Sequence, residues 1–164
     1  MSLDTASTEY AGLTVGKSRN GRGVFAAKNF SADDVLYEVV GTLMTCDVDD
    51  DLDDETRANT YRYDEAMFLS PKGTLGDFFN HSCEPNAKIV KRDKALFVVA
   101  RAPISVGDEI MFDYSTLIAS DDVWEMSCNC GSEQCRTIVS DVTSLPQKTK
   151  QQYVLNGMIP EYIF

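Results

Sequence analysis

The stretch C-N-C-G-S-E-Q-C sets Cys128, Cys130 and Cys135 in a C-x-C-x4-C array, and no other feature restricts the fold as tightly. Three thiolates are one ligand short of a closed tetrahedral zinc site, so the fourth donor has to come from elsewhere in the chain. Cys83, inside the stretch N-H-S-C, is the candidate, and its use would tie the middle of the chain to its C-terminal part. Disulfides are the competing reading. They fit poorly, because Cys128 and Cys130 are too close in sequence for ordinary disulfide geometry, and the total of five cysteines is odd. Cys46 is left over and reads as a small buried hydrophobe.

The 164 residues suffice for one domain with a real core and are too few for two comfortable ones. Hydrophobic residues make up 43% and charged residues 25%, the balance of a soluble globular protein rather than a disordered one. No apolar run approaches bilayer-spanning length, so no membrane partner is expected. The opening MSLDTASTEY lacks a secretory signal, so an intracellular setting, nuclear or cytoplasmic, is expected. The net charge of -11 argues against direct nucleic-acid binding, which needs clustered Lys and Arg, and suits a basic partner. Solubility alone is the plainer explanation of the charge.

The densest acidic run, CDVDDDLDDE from Cys46 to Glu55, invites a calcium reading. Its spacing refuses one: with the loop started at Asp47, Leu52 falls where an EF-hand needs glycine and Ala58 where it needs the closing glutamate. A solvated acidic loop, or a rim that attracts a basic substrate, is the better reading.

Short β-prone runs dominate the rest: 23–27, 35–40, 87–90, 96–100 and 110–112, with turns at 92–94 and 106–108. The clearest helix is near the end, with Ser144 as cap, Pro146 in the first turn, residues 147–156 as body and Gly157 as stop.

Three further motifs carry candidate chemistry. In NGRGVFAA, Gly21, Gly23 and Ala26 formally satisfy a dinucleotide-binding pattern, but the strand before and the helix after are missing. What remains is a glycine-lined turn, with backbone groups open to a ligand or simply tight. In FFNHSCEPNA, Asn80 and His81 (the only histidine) offer donors and acceptors able to orient a polar small molecule, or serve as satisfied structural groups. In GDEIMFDYS, a strand delivers Asp113 and Tyr114 to its end, where Tyr114 is either presented to a site or a core-edge aromatic.

Taken in order, the GxG turn, NHSC-x-PN, the E-I-x-F-D-Y strand end and C-x-C-x4-C closely resemble the SET-domain protein lysine methyltransferases, over residues from about 17 to 136. The resemblance implies a mostly β, β-clip fold of small curved sheets with a C-terminal pseudoknot, a post-SET zinc site and a short C-terminal helix. It divides the chain into an N-terminal segment (1–16), the SET domain (17–118), a post-SET segment (119–137) and a C-terminal helix and tail (138–164). It implies transfer of methyl from S-adenosylmethionine to a lysine amine of a basic protein such as a histone, the lysine entering by a narrow channel opposite the cofactor.

By the same resemblance, Gly21, Arg22, Gly23, Asn80, His81 and Tyr114 contact the cofactor. Tyr114 is the catalytic tyrosine, Tyr61 lines the channel, and Cys83, Cys128, Cys130 and Cys135 hold Zn2+. Phe112 stands where a tyrosine would hold a water that restricts the product to one methyl, which implies di- or trimethylation. The chain departs from the family in two places. Asp77-Phe78-Phe79 replaces the R-F-x found before N-H-S-C in many members, and no aromatic directly follows the cysteine array, leaving Ile138, Tyr153, Tyr162 or Phe164 to pack on the adenine. The rival readings are a catalytically silent, zinc-binding interaction module of the same fold and an enzyme acting on a non-histone protein.

Overall fold

The computed structural model describes residues 10, 12–45 and 52–164. Residues 1–9 and 11 lie outside these, as do Cys46 and residues 47–51 of the acidic run. Strands β1 (Leu13–Ser18) and β2 (Gly21–Ala26) form an antiparallel hairpin in full register, from Leu13 opposite Ala26 to Ser18 opposite Gly21. The loop Arg19-Asn20 has no left-handed residue of its own; Gly21, the first residue of β2, is left-handed at φ +88° and returns the chain to the pairing. In β2, alternation puts Val24 and Ala26 in the core.

The central sheet contains β3 (Val35–Val39), β8 (Ala87–Arg92) and β9 (Ala95–Ala100), all antiparallel, with β9 in the middle. The β8–β9 turn is made by Asp93-Lys94, with Asp93 left-handed at φ +52°. Leu96, Val98 and Ala100 are fully buried along β9, the pattern of a strand covered by neighbours and core. A second three-stranded sheet holds β4 (Thr42–Thr45), β5 (Tyr61–Arg62) and β6 (Met67–Ser70), with β6 central. The connection from β4 to β5 includes α1 (Asp54–Ala58), capped where the Thr56 N–H donates to Asp53 at 2.8 Å.

Two short strands position the site. β7 (Asn80–His81) lies parallel to β10 (Met111–Phe112), with Asn80 opposite Met111 and His81 opposite Phe112. The crossover that a parallel pair requires is here the β8–β9 hairpin and its following loop rather than a helix. A 3-10 turn, Tyr114–Leu117, follows β10 directly. Asn86 locks the arrangement, since its amide donates to the Glu109 carbonyl at 2.8 Å and its oxygen accepts the Met111 N–H at 2.9 Å.

The cysteine array occupies the loop between β11 (Met126–Ser127) and β12 (Ile138–Val139). Beyond it, a small second core of Val142, Leu145, Tyr153, Met158, Ile159 and Ile163 forms around α2 (Gln147–Leu155). Tyr153 is the buried residue of α2, so the helix is held by one anchor rather than an apolar stripe. The fold is thus mostly small β-sheets with little helix, as the sequence implies.

Element ends differ in two instructive places. Ser144 does not cap α2: its hydroxyl donates to the Asp141 carbonyl in a preceding 3-10 turn, and Pro146 occupies the N-cap position. Serine offered two nearby backbone partners takes the local one. Strand β1, unforeseen, is interrupted by Gly16 and has only Leu13 fully inward, which erases the alternating signal. Replacement of the central Leu96 by alanine is expected to cost about 2–5 kcal/mol, read by thermal melting as a fall of roughly 5–15 °C.

Candidate functional site

Asn80, at the start of β7, fastens the first hairpin to the strand-end segment. Its amide donates to the Arg22 carbonyl and to Glu109, both at 2.8 Å, and the Ser18 hydroxyl donates to the same carboxylate at 2.8–2.9 Å. A Cβ on Gly23 would collide with Glu109, so glycine there serves this close packing. The Arg22 guanidinium lies over the Phe78 ring at 4.5 Å.

Beside this junction is a recess lined by Asn20, Asn80, His81, Tyr114 and residues 126–130. A second recess is lined by Tyr61, Phe68, Phe79, Phe112, Tyr114 and Trp124, with Arg57, Asp77 and Asp122 as its charged residues. Tyr114 borders both. Its hydroxyl donates to the Phe79 carbonyl at 2.7 Å, and its ring lies 5.0 Å from Phe112, 5.3 Å from His81 and 6.4 Å from Trp124. Burial, with the charges of Glu109 and Asp77 adding to it, raises the Tyr114 pKa well above the ordinary phenol range. The phenol is therefore neutral at pH 7, a fixed dipole rather than a base. Tyr61 is similarly raised by burial, its hydroxyl donating to the Gly76 carbonyl at 2.8 Å and its ring tilted against Phe112 at 5.6 Å.

His81 accepts the Tyr114 N–H at Nδ1, 3.0 Å away, and thereby fixes the backbone that carries the tyrosine. With Nδ1 an acceptor, Nε2 holds the proton and points at the Cys83 sulfur, 3.3 Å away. Burial pushes the His81 pKa down to about 4, so the ring is neutral.

The sulfurs of Cys83, Cys128 and Cys130 and a ring nitrogen of His81 all lie within 4.8 Å of one another. Cys83 and Cys128 sulfurs are 3.9 Å apart, close to the edge of about 3.8 Å that Zn–S bonds of 2.3 Å give a tetrahedron. Cys135, the fourth cysteine expected in the set, is not part of this group; it lies beside Cys128 and Cys130, its thiol 3.5 Å from the Cys128 carbonyl. Burial pushes the Cys83 thiol up to about 11; at Cys130 burial acts the same way, but hydrogen bonds from the Cys83 and Ser132 backbone and from the Cys128 and Cys135 side chains together outweigh it and bring the thiol to about 7. The donor set fits a thiophilic divalent cation, which would replace the protons these crowded sulfurs otherwise retain.

The most buried polar junction was not foreseen. Asp113, 1% exposed, receives both arms of the Arg136 guanidinium at 2.7 and 2.8 Å, the Ser115 N–H at 3.1 Å and the Tyr153 hydroxyl at 3.0 Å. Burial opposes the charge on Arg136, but Asp113 outweighs it and raises the Arg136 pKa. Glu109, Asn86 and Asn20 were also missed; their roles depend on partners far away in sequence, and only the polar residues flanking the recognised motifs hint at them.

The structure brings Asn80, His81, Tyr114 and the cysteine segment together around one recess, and Tyr61, Phe112 and Tyr114 around the other. Gly21, Arg22 and Gly23 are not among the residues lining either recess; Arg22 meets Asn80 through its carbonyl, and the hairpin reaches the polar recess through Asn20. Of the adenine-packing candidates, Tyr153 is committed to Asp113, Tyr162 donates to the Arg62 carbonyl at 2.9 Å, and Phe164 lies beneath Lys150. Ile138, paired with the recess residue Ser127 and largely exposed, is the one placed beside the recess.

Residues 21–115 match the SET domain family. Among curated proteins, the chain is 31% identical to histone-lysine N-methyltransferase TRX1 of Oryza sativa over 152 residues, which is 84% of this chain and 15% of that protein. It is 32% identical to histone-lysine N-methyltransferase SETD1B of Homo sapiens, over 70% of this chain and 6% of the relative. A Mycosarcoma maydis protein named histone-lysine N-methyltransferase, H3 lysine-4 specific, is 30% identical over 70% of this chain and 9% of its own length. The chain therefore spans a small part of each of these relatives.

Replacing Asp113 by alanine leaves the Arg136 guanidinium uncompensated and is expected to cost about 3–5 kcal/mol in chemical denaturation. Tyr153→Phe, which loses one hydrogen bond, costs about 1 kcal/mol. The pair Asp113→Ala with Arg136→Leu should cost less than the sum of the single changes.

Proposed function

The chain belongs to the SET-domain family, and from that premise we propose that it is a protein lysine N-methyltransferase that uses S-adenosylmethionine and acts on a histone or similarly basic protein. The observation that carries the reading is the position of Tyr114 between a polar recess and an aromatic one. Asn20, Asn80, His81 and residues 126–130 offer the amide, backbone and apolar surface suited to the cofactor, with Ile138 the candidate to cover the adenine. When bound, S-adenosylmethionine supplies an electrophilic methyl group. The aromatic recess of Tyr61, Phe112 and Trp124 suits an aliphatic lysine stem.

A lysine amine has an ordinary pKa of about 10.4, so its neutral form lies roughly 4–5 kcal/mol uphill at pH 7. Desolvation among these rings favours that neutral form. Tyr114, a neutral phenol fixed to the Phe79 carbonyl, orients the amine through its remaining lone pair rather than removing its proton. Holding the amine in one pose supplies much of the acceleration by proximity. Phe112, buried with no hydroxyl, leaves space for an amine already carrying methyl groups, which favours di- or trimethylation.

Cys83, Cys128 and Cys130 from the convergent group, joined by the adjacent Cys135, are the proposed zinc ligands, with the His81 Nε2–H donating to the Cys83 sulfur as a supporting contact. The proposed SET domain covers 17–118, the post-SET segment 119–137 and the tail 138–164, although β1 extends the folded unit back to Leu13. A histone substrate implies a nuclear or cytoplasmic location.

Labelled S-adenosylmethionine with histone H3, and with a panel of other basic proteins, tests the reading. Methyl transfer to lysine is expected, with Tyr114→Phe lowering kcat by about 100-fold or more. Phe112→Tyr should convert a multiply methylated product into a monomethylated one by mass spectrometry; a wild type that makes only monomethyl-lysine contradicts the role given to Phe112. Native mass spectrometry should find one zinc per chain, and its removal by a chelator should lower Tm.

A further inference from the structure

The acceptor-side recess contains a carboxylate that neither the fold nor the proposed chemistry explains. That carboxylate is Asp77, three residues before Asn80. The 3-10 turn Leu75–Phe78 points its neighbours elsewhere: Phe78 stacks under Arg22 by the first hairpin, and Gly76 takes the Tyr61 hydroxyl on its carbonyl. Asp77 itself lines the recess bordered by Tyr61, Phe112, Tyr114 and Trp124, on the acceptor side of Tyr114. It is half-buried, and among the described residues its one hydrogen bond is a long one, 3.4 Å from the Gly73 N–H. Asp122, the other acid of this recess, is engaged by Arg62 at 2.7 Å and by the Ala119 N–H at 2.7 Å.

We propose that Asp77 is a specificity-determining residue that captures the positively charged side chain of the incoming lysine at the acceptor recess. This rests on the lysine methyltransferase reading above. Among the described residues, the titratable and charged groups lining that recess are the phenols of Tyr61 and Tyr114, both held neutral by burial, the Arg62-bound Asp122, Arg57 from α1, and Asp77. Among them Asp77 is the anion with the weakest protein partner, so it is the one with attraction left for a cation.

Capture has a kinetic consequence with a definite sign. A nearby carboxylate favours the ammonium form of the bound lysine and raises its pKa in the complex. The attacking form is the neutral amine, so the charge that strengthens binding also moves the acid limb of kcat to higher pH. Removing it should weaken capture while easing deprotonation.

The test is Asp77→Asn in the full chain, with a histone-tail peptide as substrate. KM for the peptide should rise about 3- to 10-fold, while kcat at pH 7 rises rather than falls, its acid limb moving down by roughly half to one pH unit. Asp77→Glu should keep the wild-type profile, and Asp77→Ser provides a second neutral variant should the asparagine variant fold poorly. A neutral variant whose melting temperature is unchanged, but whose KM and kcat limb match wild type, overturns the proposal, as does one in which KM and kcat worsen together. If the wild type transfers no methyl to any lysine peptide, the underlying reading fails; if it does and the KM–kcat split is absent, only the role of Asp77 fails.

Discussion

The Asp113 carboxylate is the junction on which the site depends. It is closed off from water, and a charge in that position is tolerable only when its lone pairs are fully occupied by well-placed donors. Those donors come from separate parts of the chain: the Arg136 fork from the cysteine loop, the Tyr153 hydroxyl from α2, and the Ser115 N–H from its own turn. Such a buried pair adds little net stability over an apolar packing of the same shape, but it strongly penalises any arrangement that leaves one member alone. It therefore selects the assembly in which strand end, cysteine loop and C-terminal helix arrive together.

Tyr114 directly follows that carboxylate, and its position inherits the rigidity. Its backbone N–H is taken by His81 and its hydroxyl by the Phe79 carbonyl, so both ends of the residue are pinned to β7 and the residue before it. The cysteine loop does two things at once. Residues 126–130 line the polar recess, and two of them, Cys128 and Cys130, belong to the convergent sulfur cluster. Whatever holds that cluster together also holds one side of the recess.

The motifs were legible because they are local. NHSC, the FDY strand end and C-x-C-x4-C each carry their residue types within a few positions, and the order of the motifs points to one family. The strands with strong alternation or continuous burial, such as β2 and β9, were legible for the same reason. The parallel pairing of β7 with β10 was not, because two residues on each side give no periodicity and the pairing spans about thirty positions. The partners of Asn80 were equally hidden: nothing near it in sequence announces Glu109, Ser18 or the Arg22 carbonyl. Ser144 shows the opposite failure, where a good local signal lost to a nearer backbone acceptor.

The sequence by itself determined the family, the mostly β character, and the residue types able to bind a polar ligand and a thiophilic metal, since these follow from chemistry carried within short segments. Only the tertiary structure decided that Tyr114 borders two recesses, that Asp77 lines the aromatic one, and that the Tyr153 hydroxyl is bound to Asp113. The reason is physical: a side chain's role is set by where its polar atoms find partners once water is excluded, and those partners lie tens of residues away.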